Sequence, residues 1–183
     1  MIGPGFDSVL DAARAGAEWA WSALYRDLAG QVLGYLRAQG AAEPEDRLGD
    51  VFLQLARNIS PFAGDEAAFR SWVFMVAHHR VIDERRRRSR RREHPTGDDR
   101  ELEEAAPPAP AADEQALSNL TTDSVYSLLE GLSDAQRDVL SLRIIAGMTI
   151  PEIAVILRKR PGAVKALQRR GLDTLRREMG VPL

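Results

Sequence analysis

The sequence predicts an all-α protein: two small helical domains joined by a flexible, acidic, Pro/Ala-rich linker, the second domain built around a helix-turn-helix. Three observations carry that expectation. Apolar residues recur every three or four positions, the spacing that gives a helix one buried face. Capping boxes at Ser133 with Gln136 and at Thr149 with Glu152 mark helix starts in the C-terminal third. Between the two helical parts lies "HPTGDDRELEEAAPPAPAADE". It has almost no large apolar residue to bury, so it reads as a linker.

Taken in order, Trp21, Leu24, Leu28, Val32 and Leu36 place a helix from about Glu18 to Gln39. "QGAAEPEDR" breaks it, and Pro44 suits the first turn of the next helix, where Glu45 and Asp46 lie near the positive end. That helix carries "DVFLQLARN" and should stop near "SPFAGDE". A long third helix follows from about Glu66 to Arg90, striped by Phe69, Trp72, Val73, Val76 and Ile82. The division is then 1–92, a linker over 93–112, and 113–183. In the last part, Leu117, Leu120, Val125, Leu128 and Leu129 belong to a first helix or helix pair. The two capped helices follow, with Gly147 ending the first of them, and a break at "RKRPG" precedes the closing helix.

The charge is distributed unevenly. A net charge of −2 over 183 residues hides "RRRRSRRR" at Arg85 to Arg92, next to an acid-rich run from Asp98 to Glu114. The chain has no cysteine, hence no disulfide or thiolate chemistry, and two of its three histidines, His78 and His79, are adjacent. Adjacent residues do not share a helix face as a metal pair at i, i+4 would, so no metal or cofactor is expected. No apolar run approaches the roughly 20 residues of a membrane span. The N-terminus lacks the pattern of a signal peptide, which makes the cytoplasm the expected location. With no nucleophile and base pair, metal cluster or glycine-rich phosphate loop in evidence, a non-enzyme is expected.

The C-terminal helices have the outline of a DNA-binding motif: two helices joined by a turn of a few residues, the second one basic. Ile153 and Leu157 can pack on Val164 and Leu167, and Ala154 is small where the helices approach. Pro161 suits the first turn of the second helix. Lys165, Arg169, Arg170 and Arg176 then face outward as phosphate contacts, Gln168 is a possible base reader, and Arg160 at the helix start can do either. Gly162 lies in the same first turn. Such turns often carry glycine where this chain has Arg158, so a less favoured backbone conformation or a different turn type is expected there.

Both halves together resemble an ECF-type sigma factor, the compact bacterial initiation subunit with domains 2 and 4. "LSDAQRDVLSLRIIAGMTIPEIAVILRKRPGAVKALQRRGLDTLRRE" looks like domain 4. "ALYRDLAGQVLGYLR", "PEDRLGDVFLQLAR" and "FRSWVFMVAHHRVIDERRRR" resemble successive parts of domain 2. The resemblance implies a subunit that binds core RNA polymerase, at the clamp helices of the largest subunit and the flap of the second-largest, and recognises promoter −10 and −35 elements. It also implies an anti-sigma partner.

Carried onto matching positions, the resemblance assigns polymerase docking to Asp46, Asp50, Val51, Phe52 and Leu55, although Phe52 and Leu55 could equally face the core. Gly49 stands where a polar residue is usual, a cost to the helix of roughly 1 kcal/mol relative to Ala. "NISPFAGDE" corresponds to the loop that holds a flipped −10 base. Asn58, Ser60 and Asp65 would offer polar edges, and Phe62 either a stacking face or a core contact. Trp72 reads as core. His79, which with His78 replaces the Arg-Asn pair common in this helix, Arg80, and the arginines Arg85, Arg86, Arg87 and Arg88 would meet opened DNA. The helix starting at Arg160, Pro161 and Gly162 would enter the −35 major groove. The acidic linker lies along a nucleic-acid path in polymerase, acts as a plain tether, or folds back onto the arginine cluster in the free protein and limits unproductive DNA binding. The competing reading is a ligand-responsive helix-turn-helix regulator that binds operator DNA without polymerase.

Overall fold

The computed structural model describes residues 2–93, 126, 128–129 and 131–179, and every regular element among them is helical. After a short 3-10 turn at Gly3–Gly5 come α1 (Phe6–Arg14), α2 (Glu18–Ala38), α3 (Pro44–Asn58) and α4 (Glu66–Glu93). Beyond the expected linker, which apart from Glu93 lies outside the described residues, come α5 (Asp134–Ile144), α6 (Ile150–Ile156) and α7 (Pro161–Glu178).

Local sequence explains most boundaries. Pro44 begins α3, and Ser133 and Thr149 cap α5 and α6 in full capping boxes with Gln136 and Glu152. Each box satisfies two backbone donors that the first turn leaves without helical partners. Gly147, just after α5, has φ 65°, which costs glycine little. The element not anticipated is α1. Phe6, Val9, Leu10 and Ala13 give it one buried face.

α2, α3 and α4 pack on one another, with α1 laid against α2, while α5, α6 and α7 form a second group. Helices α5 and α7 meet where Gly171 lies against Leu140; an added Cβ would come within 2.8 Å of the Leu140 side chain. The two groups are docked. α4 packs on α6 and α2 on α5, and Val139, Leu142, Met148, Ile153 and Ile156 share one buried apolar cluster with Tyr35, Phe74 and Val81. At Gly34 the approach is close enough that a Cβ would lie 3.1 Å from the Ile145 side chain. Arg70 Nη2 donates to Gln31 Oε1 at 2.7 Å and to the Ala146 carbonyl.

Arg158, in the turn between α6 and α7, has φ 52°, so of the two possibilities the chain takes the less favoured backbone conformation. A side chain in this left-handed region costs on the order of 1 kcal/mol. Arg158 is exposed and has no ion-pair partner among the described residues. Arg158→Gly is therefore expected to stabilise the protein by about 1 kcal/mol, raising the thermal midpoint by roughly 2–4 °C in a calorimetric scan.

Candidate nucleic-acid interface

The loop between α3 and α4 is fixed at both ends and aromatic at its centre. Ile59 is buried and its carbonyl accepts the Phe62 N–H at 3.1 Å. The Phe62 ring stacks on Trp72 with centroids 5.1 Å apart and planes 12° from parallel, and meets Phe69 edge-on at 5.4 Å. Gly64 is required here, since a Cβ would sit 2.8 Å from that of Ala68 and 3.2 Å from the Phe62 ring. Phe62, Trp72, Pro61, Gln54 and Asn58 line a cleft of about 380 Å³. An aromatic floor beside amide edges suits an unstacked base.

Within this loop the expected polar residues divide. Ser60 is exposed, and Asn58 uses its Nδ2 on the Gln54 carbonyl at 2.8 Å, leaving its side-chain oxygen available. Asp65 is committed differently: its Oδ1 accepts the Ala68 N–H at 2.8 Å, so it caps α4. Trp72, expected in the core, is only partly buried and lines the cleft.

A second cleft, about 620 Å³, adjoins the first at Gln54 and Asn58 and is strongly cationic. Arg57, His79, Arg80 and Arg86 line it from α3 and α4, with Arg158 arriving from the turn before α7. The Arg80 Nε is buried without a hydrogen-bond partner. Asp83 lies 3.8 Å from Arg86. The sequence reading missed Arg57, which lies within the quoted segment but was given no role, and missed Arg158 as a cleft residue because it comes from another part of the chain.

The remaining arginines correct the expectation of one continuous DNA-facing run. Arg85 is held inside the contact between the helix groups, donating to Gln39 Oε1 at 2.5 Å and to Asp138 Oδ1 at 3.2 Å. Burial pushes the Asp138 carboxyl above its usual range, although Arg85 pulls it the other way. Arg88 donates to the Gly40 carbonyl at 3.1 Å and pairs with Glu84. Arg86 and Arg87 are exposed. His78 is buried, with Nδ1 2.9 Å from the Tyr35 hydroxyl, whereas His79 is exposed.

On α3 the docking residues need correction too. Val51 and Leu55 are fully buried and Phe52 nearly so, its ring 4.8 Å from that of Tyr25 and tilted 55° to it, so these three hold the helix in place from behind. Its outer face carries Asp46, Asp50, Leu53 and Arg57, at steps of four, three and four residues. Leu53 is 57% exposed and Tyr25 45%. Asp50 pairs with Arg47 at 2.9 Å. Nothing lies within 4 Å of a Cβ built on Gly49, so no close approach within the chain requires that glycine.

In the C-terminal group, Arg160, Pro161, Gly162, Lys165, Arg169, Arg170 and Arg176 are exposed along α7, while Val164 is fully buried beneath them. Gln168 is half-buried, and Arg176 pairs with Asp173 at 3.2 Å. The basic edge of a helix seated on a capped partner is thus open to solvent.

Comparison with known proteins bears on the family and the fold. Family models of sigma-70 region 2 and sigma-70 region 4 match residues 21–91 and 122–175. The ECF RNA polymerase sigma factor SigX of Bacillus subtilis is 30% identical over 138 residues, covering 75% of this chain and 71% of SigX. The chain belongs to the ECF sigma factors. BldN of Streptomyces coelicolor, another ECF sigma factor, is 28% identical over 171 residues; the match spans 92% of this chain but 64% of BldN. Two solved structures share the fold of this ECF sigma factor. CnrH, in complex with the cytosolic domain of CnrY, superposes with a TM-score of 0.68 at 20% identity, covering 96% of this chain and 97% of that one. The sigma factor RpoE of Bartonella quintana, in complex with the anti-sigma factor NepR, gives 0.58 at 20% identity, with 96% and 94% covered. Among the described residues, no helix is long and apolar enough to cross a membrane.

Proposed function

We propose that this chain is a promoter-specificity subunit of bacterial RNA polymerase. Residues 1–92 act as a unit on core polymerase and −10 DNA, 113–183 as a unit on −35 DNA, and 93–112 as the tether. The observation that carries the reading is the pairing, in one chain, of an aromatic cleft beside a cationic one with an exposed basic helix-turn-helix. The first arrangement suits a flipped base and its flanking phosphates, the second a duplex major groove. The chain makes no bond itself; it acts through polymerase.

On α3, Asp46, Asp50 and Leu53, with Tyr25 of α2, form the polymerase-facing surface. Covering one exposed leucine is worth about 1.5–3 kcal/mol. Leu53→Glu is therefore expected to weaken binding to core polymerase by roughly tenfold or more, measured by surface immobilisation of core enzyme, with little change in thermal midpoint. An anti-sigma protein is a further partner, in keeping with the complexes of CnrH and of Bartonella RpoE.

Promoter binding requires the two helix groups to part. Elements about 25 base pairs apart are separated by about 85 Å at 3.4 Å per pair. An extended 20-residue tether adds at most about 70 Å of reach. The Arg85–Asp138 pair and the Gly34–Ile145 contact would break.

Run-off transcription with core polymerase on a promoter library tests the proposal. Discrete start sites that depend on this protein support it. No initiation, together with no association with core polymerase, would overturn it.

A further inference from the structure

The N-terminal helix lies outside the sigma-70 region 2 match, which begins at residue 21, yet it is tied directly to the aromatic loop. Arg14 Nη2, at the end of α1, donates to the Phe62 carbonyl. The guanidinium is aimed by Asp11, whose Oδ1 accepts from Nη1 at 2.8 Å. The other end of this segment is fastened to the start of α4, where the Glu66 carboxylate accepts the N–H groups of Ile2 and Gly3, the latter at 3.0 Å. Between these ties, Phe6 packs on Phe69 with centroids 5.6 Å apart, and Trp21 Nε1 donates to the Ala13 carbonyl at 3.1 Å.

We infer that Arg14 is a positioning residue for −10 base recognition, setting the cleft's shape by holding the backbone of Phe62. The inference rests on the reading above, in which the Phe62–Trp72 cleft receives the flipped base. Among the described residues, Arg14 provides the one side-chain hydrogen bond that reaches the 60–64 segment, whose backbone is otherwise tied by the Phe62 N–H to Ile59. A charged donor on a carbonyl makes a stronger bond than a neutral one. A recognition residue misplaced by about 1 Å loses much of its selectivity, so the support behind it matters as much as the residue itself. Phe62 has a ring that lines the cleft and a backbone that Arg14 restrains. The helix therefore acts on the base through Phe62 without touching DNA.

The test compares Arg14→Ala, Arg14→Lys and Phe62→Ala in the full-length protein assembled with core polymerase. Initiation is measured on a promoter and on versions with each −10 base replaced, alongside core-polymerase affinity and the thermal midpoint. Arg14→Ala is expected to reduce discrimination among −10 bases about tenfold, with core-polymerase affinity unchanged. Lysine keeps the charge and a donor, and is expected to recover part of that discrimination. A merely structural role would lower the thermal midpoint and overall initiation without moving the ratio between promoters. If Phe62→Ala loses discrimination and Arg14→Ala keeps it, the cleft reading stands and the role of Arg14 falls. If both variants keep full discrimination, the cleft is not the reader and both proposals fall.

Discussion

Replacing Lys165 and Arg169 together with alanine is expected to cut initiation at a −35-dependent promoter by at least about 30-fold. The two side chains stand one turn apart on α7, exposed, and without an ion pair among the described residues. A hydrogen bond from a charged side chain to phosphate contributes on the order of 1 kcal/mol or more, with a salt-sensitive increment. A combined loss of about 2 kcal/mol corresponds to that factor. The salt dependence of DNA binding should also become shallower by one or two ion equivalents. Stability should stay within about 0.5 kcal/mol, because neither residue is buried. Unchanged initiation and an unchanged salt slope would mean that this face of α7 does not enter the groove.

Acid should destabilise the protein through His78. Burial is the main cause that holds this imidazole down at about 4, with His79, Arg85 and Lys159 adding like-charge repulsion. The neutral ring can then accept the Tyr35 hydroxyl proton at Nδ1. Because the folded value lies below the ordinary 6.5, the unfolded chain takes up the proton more readily. The stabilisation is complete above about pH 6.5 and is lost as pH falls towards 4, up to about 3 kcal/mol. Asp138 works in the opposite direction: its folded value is raised, so its contribution grows as pH falls. Comparison with His78→Gln isolates the histidine. Chemical denaturation between pH 4 and 7 should show the wild type losing more stability on acidification than the variant does. Parallel curves would show that His78 does not titrate in this range.

The sequence by itself determined α2 to α7 and their order, while the expected helix at Leu117, Leu120 and Val125 lies outside the described residues. Ser133 with Gln136, Thr149 with Glu152, and Pro44 write their helix starts in local hydrogen-bonding chemistry, which needs no distant partner. The order and spacing of the segments, with the linker between them, also sufficed to indicate the family. The sequence reading overlooked α1, whose nine residues carry Phe6, Val9, Leu10 and Ala13 at helical spacing.

Tertiary structure decided which side chains are available. Val51, Phe52 and Leu55 belong to a quoted motif with Asp50, but helical rotation turns them to the core and sends Leu53 and Arg57 outward. The 3.6-residue period could have shown this. No sequence pattern could have shown that Arg85 is spent on Gln39 and Asp138, that Arg158 reaches the cleft of Arg57 and Arg80, or that Arg14 holds Phe62 from 48 residues away. Caps and helix faces follow from bonds and packing within a few residues of each other. Which arginine is paired and which is free depends on the docking of distant helices, and that is a property of the packed chain.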